Sequence, residues 1–227
     1  MTDAVTDEIG PALAAAAFTL ADRLAAGGTL WAMAPGYPDH ARHVAVEFVH
    51  PVVVGTRAVA AFALVGTGVE IVEAARRTCR VGDVAVLIGP ATSDLASRCE
   101  AWGVTTIAFG WTAASDAVRA DHSVMLAGET DAVRSYHLLW ELAQVCLEHS
   151  DVFINESADT SACAVCRDGA TLGEVTALGE ANEATLRTAC GPVVADASLI
   201  DNLAIGDLVL SHAGVVIGRP ESRTDRP

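Results

Sequence analysis

The segment DVAVLIGPATSDLASRCEAWGVTTIAFG, residues 83–110, carries the pattern that decides the fold. Two apolar runs, at 83–89 and 104–110, enclose a segment at 92–102 that we predict to be a helix. Strands that read as continuous apolar runs, without alternating polar residues, are typical of parallel sheets covered on both faces. A strand, a helix and a second strand of this kind predict one βαβ unit of such a sheet.

The same alternation continues on both sides of this segment. Gly27 and Gly28 end the first helix, Asp39 is a candidate N-cap of the second, and Pro51 ends it. Residues 1–150 are therefore predicted to form an α/β domain with a parallel sheet, in which ligands bind at loops after the carboxyl ends of strands. The further strands are predicted at 29–34, 58–66 and 122–126, and the further helices at 8–26, 39–50, 68–79 and roughly 130–149.

The character of the chain changes after Ser150. Residues 151–162 are polar and are predicted to form a linker, and residues 221–227 a disordered tail. Between them occur only short β-like runs: TLGEVTAL, EATLRTA, DLVLSHA and GVVIG. Residues 163–220 are therefore predicted to form a second, all-β domain, small enough to need packing on the first domain or on a partner.

Composition excludes several classes of protein. Hydrophobic residues make up 52% of the 227 residues and charged residues 19%, as expected of a globular chain. A net charge of −15 argues against binding to nucleic acid or to an anionic membrane surface. All 14 basic residues are arginine, which excludes a Schiff-base or P-loop lysine. The acidic N-terminus is no secretory signal, no apolar run is long enough to span a membrane, and the widely spaced cysteines indicate a reduced, cytoplasmic protein.

Three of the seven histidines occur in one short predicted helix, within the stretch HARHVAVEFVHP. His43 and Glu47 are four residues apart and so share one helix face. His137 lies on a largely apolar face of the last helix of the α/β domain. Taken alone, His43 and Glu47 also suit a solvated contact, and His137 a hydrogen-bonded core histidine. His40 and His50 are expected to be surface residues at the helix ends.

Together these residues resemble the SIS (sugar isomerase) family, in particular the phosphoheptose (sedoheptulose 7-phosphate) isomerases. The stretch HVAVE at 43–47 is similar to the His-x-x-x-Glu that this family carries on the helix after its first strand. Glu129 and His137 are similar to a Gln and a His eight residues apart on a late helix, with Glu in place of Gln. The runs VGDVAVLIG (81–89) and WGVTTIAFG (102–110) resemble the entries to the family's third and fourth strands.

This resemblance implies a SIS domain over residues 1–150 and a metal site formed by His43, Glu47, Glu129 and His137. The metal in the family is typically zinc, for which imidazole and carboxylate groups are suitable ligands. Glu47 and His137 would be the catalytic acid–base pair of an aldose–ketose isomerase, moving a proton between adjacent carbons through an enediol while the metal polarises the carbonyl. The family's sites lie at interfaces of a homotetramer, so a homodimer or homotetramer is expected here.

The spacing of Glu129 and His137 restricts this arrangement. Eight residues of helix span about 12 Å, so one continuous helix could hardly bring both side chains to one ion. Either Glu129 belongs to the loop before the helix, or the two side chains reach sites across a subunit boundary.

The loops that hold phosphate in this family differ here. In place of the family's Gly-Asn-Gly-Gly-Ser loop the chain has APGYPD at 34–39, and in place of its Ser/Thr-rich loop it has GPATSD at 89–94. The prolines remove N–H donors, and the aspartates would repel a phosphate. Thr92, Ser93 and Ser97 could still bind a ligand at that helix N-terminus, or could form an ordinary cap. We therefore expect a changed ligand or a repurposed domain.

The second domain resembles the HypC/HupF family of hydrogenase-maturation chaperones, which are small OB-like β-barrels. The stretch CAVCRDGATLGEVTAL at 163–178 and the run GDLVLSHAG at 206–214 carry the resemblance. It implies that Cys163 and His212 bind iron or a partner, since thiolate and imidazole are suitable ligands for iron. Here Cys163 is internal, whereas the family's cysteine becomes N-terminal. Cys166 could instead be a packed thiol, and His212 a strand residue facing solvent.

Three hypotheses of function follow. The first, favoured by the more specific motif of the second domain, is an accessory protein of NiFe-hydrogenase maturation that binds other maturation proteins or the hydrogenase large subunit. The alternative is a metal-dependent isomerase of sedoheptulose 7-phosphate or a related sugar phosphate, with zinc or another divalent metal as cofactor. In a third, purely structural interpretation both domains are scaffolds. The set of His43, Glu47 and His137 favours the isomerase, and the altered phosphate loops favour the accessory protein.

Overall fold

A computed structural model describes most of the chain, and the chain divides into two units. The first unit comprises residues 1–99 and 104–155, and the second comprises residues 100–103 and 156–227. The described residues are 3–51, 56–90, 92–111, 120–148, 170–180 and 182–220.

The first unit is an α/β sandwich built on a five-stranded parallel sheet. The strands follow the order β2-β1-β3-β4-β5, and every pair of neighbours is parallel. This confirms the predicted fold class, and each helix and strand predicted for this part of the chain is present. The elements in chain order are α1 Asp3–Ala25, β1 Leu30–Met33, α2 Pro38–Val49, β2 Ala61–Leu64, α3 Gly68–Thr78, β3 Val84–Ile88, α4 Ser93–Ala101, β4 Thr105–Gly110, β5 His122–Met125 and α5 Glu129–Glu148.

The central strand β3 shows why the sequence forms a sheet covered on both faces. All five of its residues are buried. Val84, Val86 and Ile88 point into one core that they share with α1, α2 and α5. Ala85 and Leu87 alternate with them, point to the opposite face and are just as fully buried. Burial on both faces explains why the strand reads as an uninterrupted apolar run.

The start of α2 differs from the prediction. Tyr37 occupies the N-cap position, without a side-chain capping bond, and Pro38 is the first residue of the helix. Proline suits this position because its fixed φ is helical and its missing N–H would have had no partner there. The predicted N-cap, Asp39, lies inside the first turn, where Oδ1 accepts a hydrogen bond from the Arg42 guanidinium at 2.9 Å.

A buried carboxylate fixes the amino-terminal edge of the sheet. Asp83, just before β3, is 6% exposed. Its Oδ1 accepts the Thr29 N–H at 2.9 Å, and its Oδ2 accepts both the Trp31 Nε1–H and the Arg80 N–H at 2.8 Å. One side chain therefore ties the start of β1 to the turn that precedes β3.

The described part of the second unit is a closed five-stranded barrel. Its strands are β6 Thr171–Leu178, β7 Glu183–Thr188, β8 Gly191–Asp196, β9 Leu208–His212 and β10 Val215–Gly218, in the order β10-β8-β7-β6-β9. The β8–β10 pair is parallel, and the other pairs are antiparallel. This confirms the small all-β barrel that was predicted.

Strand β8 was not predicted. Its sequence, GPVVAD, begins with a Gly-Pro pair that is typical of turns, and three of its six residues in a row are exposed. Its place in the barrel comes from six antiparallel pairs with β7 and from Ala195, which is 2% exposed and packs into the barrel core.

Some predicted features fall outside the described residues. These are the linker at 151–162, the tail at 221–227, and Cys163 and Cys166. No helix among those described is both long enough and apolar enough to cross a membrane.

We predict that Asp83→Ala lowers the free energy of unfolding by about 2–4 kcal/mol, because it removes one acceptor from three donors at a buried site. Urea unfolding followed by circular dichroism measures the loss. Asp94→Ala is the matched control, because Asp94 is 68% exposed and pairs with Arg98, and its loss should change stability by less than about 1 kcal/mol. Equal losses in the two variants would contradict the role assigned to Asp83.

Candidate metal and acid–base site

Three of the predicted site residues converge where α2 and α5 meet. His43 Nε2 lies 3.1 Å from His137 Nε2 and 3.2 Å from Glu47 Oε1. The third side of this triangle, from Glu47 Oε1 to His137 Nε2, is 3.5 Å. We call these three residues the trio.

The apolar faces of the two helices place the trio. Val44 and Phe48 on α2, and Leu139 and Trp140 on α5, are buried in the same core. His43 and Glu47 flank that face of α2, as residues four apart on one helix should. The trio therefore lies at the edge of the interface, with side-chain exposures of 44% for His43, 37% for His137 and 19% for Glu47.

A backbone carbonyl orients the ring of His137. His137 Nδ1 lies 2.6 Å from the carbonyl oxygen of Val133, one turn earlier on α5. Because a carbonyl only accepts, Nδ1 carries the proton, and Nε2 of the neutral ring turns its lone pair towards His43 and Glu47. Metal-binding histidines usually make this second contact, which fixes the tautomer and the ring orientation.

The spacing of the trio fits a divalent metal ion. One ligand atom from each residue can be chosen so that all lie within 4.8 Å of one another. Ligand atoms bound tetrahedrally at 2.0–2.2 Å from zinc lie roughly 3.3–3.6 Å apart, and the three observed distances fall in or just below that range. Two imidazoles and one carboxylate also form a donor set typical of catalytic zinc, with a fourth position left for water or substrate.

Glu129, the fourth predicted ligand, does not join the trio in this chain. It is the first residue of α5, and its Oε1 lies 3.0 Å from His40 Nε2. One continuous helix therefore separates it from His137, as its geometry requires. Of the two arrangements considered above, placement of Glu129 in a preceding loop is wrong.

The prediction that His40 lies at the surface is wrong. Its side chain is only 11% exposed. Its Nε2 contacts Glu129, and its Nδ1 lies 3.4 Å from the Tyr136 hydroxyl. His50, at the other end of α2, is exposed as expected.

Tyr136 was missed by the sequence reasoning. It is 2% exposed, and its ring centroid lies 5.4 Å from that of His43 and 5.2 Å from that of His137. Burial raises the pKa of its phenol above the ordinary value, and the negative charge of Glu47 raises it further. Its position directly before His137, and four residues before the buried Trp140, could have indicated its place.

The crevice at the carboxyl ends of β1 and β3 is covered by an aromatic ring. A Cβ built on Gly89 would lie 3.5 Å from Cδ2 of Tyr37, whose ring also packs edge-on against Trp111 at 5.0 Å. The nearby N–H groups of Tyr37 and Gly89 already donate to carbonyls of Ala34 and Phe109. These two N–H groups are therefore not available to bind an anion.

The loop at 89–94, before α4, contains a buried hydroxyl. Thr92 precedes α4, is 1% exposed, and its Oγ1 has no hydrogen-bond partner among the residues that the structure describes. Ser93, the first residue of α4, and Ser97 are partly exposed. A buried hydroxyl without a partner is uncommon, so Thr92 remains a candidate for contacting a ligand.

Of the two residues predicted to bind iron, Cys163 and His212, only His212 is among the described residues. His212 ends β9 at an exposed position, opposite Val215 of β10. Because Cys163 lies outside the described residues, the pairing of these two side chains stays a prediction.

Comparison with solved structures shows the same fold in two phosphoheptose isomerases. The enzyme from Francisella tularensis superimposes with a TM-score of 0.52 at 14% identity, over 60% of this chain and 86% of its own. The enzyme GmhA from Neisseria gonorrhoeae gives 0.51 at 17% identity, over 64% of this chain and 89% of its own. No family model and no curated protein matches the sequence. At these identities the likeness establishes a SIS-like fold alone.

We predict that the raised pKa of Tyr136 is visible at alkaline pH. Its phenol should ionise above the ordinary pKa of 10.0, and Tyr136→Phe should remove that transition from the ultraviolet phenolate spectrum. Because the folded pKa lies above the unfolded one, the stabilisation is complete below about pH 10 and is lost as the pH rises through the folded value. The variant should therefore lose less stability than the wild type over that interval.

The absence of lysine helps this measurement, because fewer other groups titrate there. If the two proteins lose stability equally, Tyr136 does not experience the environment described.

Proposed function

We propose that the α/β unit is a metal-dependent aldose–ketose isomerase acting on a sugar phosphate, either sedoheptulose 7-phosphate or a relative of it. The observation that supports this most directly is the spacing of His43, Glu47 and His137, which suits one divalent ion. The SIS-like fold supports it too, because it is the fold of the two phosphoheptose isomerases.

Zinc, or another divalent metal, is the proposed cofactor. His43 Nε2, His137 Nε2 and a carboxylate oxygen of Glu47 would hold it. When bound, it would supply Lewis-acid polarisation of the substrate carbonyl. The imidazoles of His43 and His137 are partly exposed, so a substrate could approach the ion from solvent. A shallow depression beside them is lined by Asp39, Arg42 and Val46 together with His43 and Glu47.

Proton transfer is assigned to Glu47 and His137. An aldose–ketose isomerisation removes a proton from the carbon beside the carbonyl, gives an enediol and returns a proton to the neighbouring carbon. Glu47 Oε1 and His137 Nε2 lie 3.5 Å apart, so both can reach adjacent carbons of one bound sugar. The Val133 carbonyl keeps a proton on the far nitrogen of His137, so the ring has one lone pair, on Nε2. That lone pair can accept a proton only while it does not hold the ion, and Glu47, with two carboxylate oxygens, can do both.

The phosphate end of the substrate is proposed to bind differently from the family pattern. Tyr37 covers the crevice, and Pro35 and Pro90 have no N–H to donate. Thr92, Ser93 and Ser97 at the start of α4 are the remaining ligand-binding candidates, with the Thr92 hydroxyl the strongest of them. The proposal therefore includes sugar phosphates other than sedoheptulose 7-phosphate.

Metal analysis and a turnover assay test this proposal. We expect the purified chain to contain close to one equivalent of a divalent metal, and His43→Ala to lose it. Turnover of sedoheptulose 7-phosphate, or of another member of a sugar-phosphate panel, should fall about 10²–10⁴-fold in Glu47→Gln. His50→Ala, which changes an exposed histidine on the same helix, should retain both metal and turnover.

Two results would overturn the proposal. One is wild-type protein that binds no divalent metal under conditions where it is folded. The other is turnover that survives in Glu47→Gln at the wild-type rate.

A role in NiFe-hydrogenase maturation is the second candidate. The comparisons do not support it, and it rests on the resemblance of residues 163–178 and 206–214 together with the closed barrel. In this proposal Cys163 and His212 bind iron or a partner, which would be another maturation protein or the hydrogenase large subunit. Iron binding to the full chain that is lost in both Cys163→Ser and His212→Ala would favour it, whereas iron retained in both variants would oppose it.

The assembly state is a proposal as well. A homodimer or homotetramer is expected, and light scattering of the purified chain measures it. A subunit boundary at α5 would allow Glu129 to act in the site of a neighbouring copy, which is the second of the two arrangements considered for it.

A further inference from the structure

We propose that Glu129, His40 and Tyr136 form a clamp between α2 and α5 that positions the trio for its ion. This inference rests on the proposed function, because the clamp is a positioning device for the same site. It gives Glu129 a different role from the metal ligand implied by the resemblance.

The hydrogen bonds of the clamp have one consistent direction. Glu129 accepts only, so at 3.0 Å it takes the proton on His40 Nε2. The Nδ1 of the neutral ring then has a lone pair, which faces the Tyr136 hydroxyl at 3.4 Å. A tyrosine phenol is protonated near neutral pH, so the Tyr136 hydroxyl can donate to this nitrogen.

Burial makes the His40–Tyr136 contact hard to replace. Tyr136 is 2% exposed and the His40 side chain is 11% exposed, so water has little access to either polar group. Breaking the contact would leave a buried donor or acceptor without a partner. Glu129 differs, because its side chain is 54% exposed and water can solvate its carboxylate.

The clamp acts on the trio through the ring of Tyr136. That ring contacts His43 from α2 and His137 from its own helix, at centroid separations of 5.4 and 5.2 Å. His40 lies three residues before His43, so it holds the same two helices one turn away. With the hydroxyl anchored, the ring fixes the gap across which the two Nε2 atoms meet at 3.1 Å.

Preorganisation of this kind has a measurable effect on metal affinity. Binding sites need supporting side chains that hold their geometry to within about 0.5 Å. Removal of outer-shell partners typically weakens metal binding about 10–100-fold. The clamp residues are therefore positioning residues whose loss weakens binding without removing a ligand.

Cobalt(II) binding to the full chain, followed by its visible spectrum, tests the clamp. We expect His40→Ala and Tyr136→Phe each to weaken cobalt binding about 10–100-fold. The visible spectrum of each variant saturated with cobalt should match that of the wild type, because the ligands are unchanged. The double variant should be no weaker than the weaker single one, because both changes break one chain of contacts. His50→Ala is the control and should bind as the wild type does.

Glu129 separates the clamp from the direct-ligand alternative. If the three residues form a clamp, Glu129→Ala weakens cobalt binding less than His40→Ala does. The double variant then binds cobalt no more weakly than His40→Ala alone. If Glu129 is a ligand, in the same chain or in a neighbouring copy, Glu129→Ala changes the cobalt spectrum and its effect adds to that of His40→Ala. That second pattern would overturn the proposal.

A measurement without metal keeps the clamp testable if the proposed function fails. The chain has only two tyrosines, so ¹³C-tyrosine labelling gives two ring systems in NMR spectra. Contacts between the rings of Tyr136 and His43 should be strong in the wild type and weak or absent in folded His40→Ala. Unchanged contacts would overturn the clamp, whereas a wild-type chain that binds no cobalt but shows this loss would overturn only the proposed function.

Discussion

The packing of α2 against α5 is the contact on which the candidate site depends. The two helices follow different strands, and His43 and His137 are 94 residues apart in the chain. They meet because both helices lie on the same face of the sheet and bury Phe48 and Trp140 in one core. The polar residues beside those apolar faces are then brought together at the edge of the interface, whether or not they bind anything. Geometry alone therefore explains the convergence, and the chemistry of the donors gives it a possible use.

The α/β fold could be predicted because its signal is local and redundant. Strand β3 is an uninterrupted apolar run because it is buried on both faces, and β1, β2, β3 and β5 are each followed by a helix. The barrel strand Gly191–Asp196 gives no such signal, because only pairing with its neighbours makes it a strand. The predicted N-cap of α2 was wrong because a neighbouring residue decides where the helix begins. Asp39 has the right chemistry for a cap, but Pro38 begins the helix one residue earlier.

The candidate site was predictable to the extent that helical periodicity determines it. Periodicity shows that His43 and Glu47 share a face and that His137 lies beside an apolar one. It does not reveal which residue from another helix lies opposite. His40 was therefore placed at the surface, although Tyr136 and Glu129 enclose it. Residues that act on a site through their neighbours give no spacing pattern in the sequence, and only coordinates identify them.

The contrast between the trio and the loops that differ from the family pattern has a physical explanation. The trio depends on the positions of two helices, which the buried core holds in place. A phosphate cradle depends on N–H groups of two loops, and single substitutions to proline remove them without disturbing the core. In this chain Pro35 and Pro90 lack such groups, and Tyr37 covers the space between the loops. Loops can therefore change what they bind while donors on the helices stay in place, so the geometry of the trio supports the proposed ion more directly than it supports any one sugar.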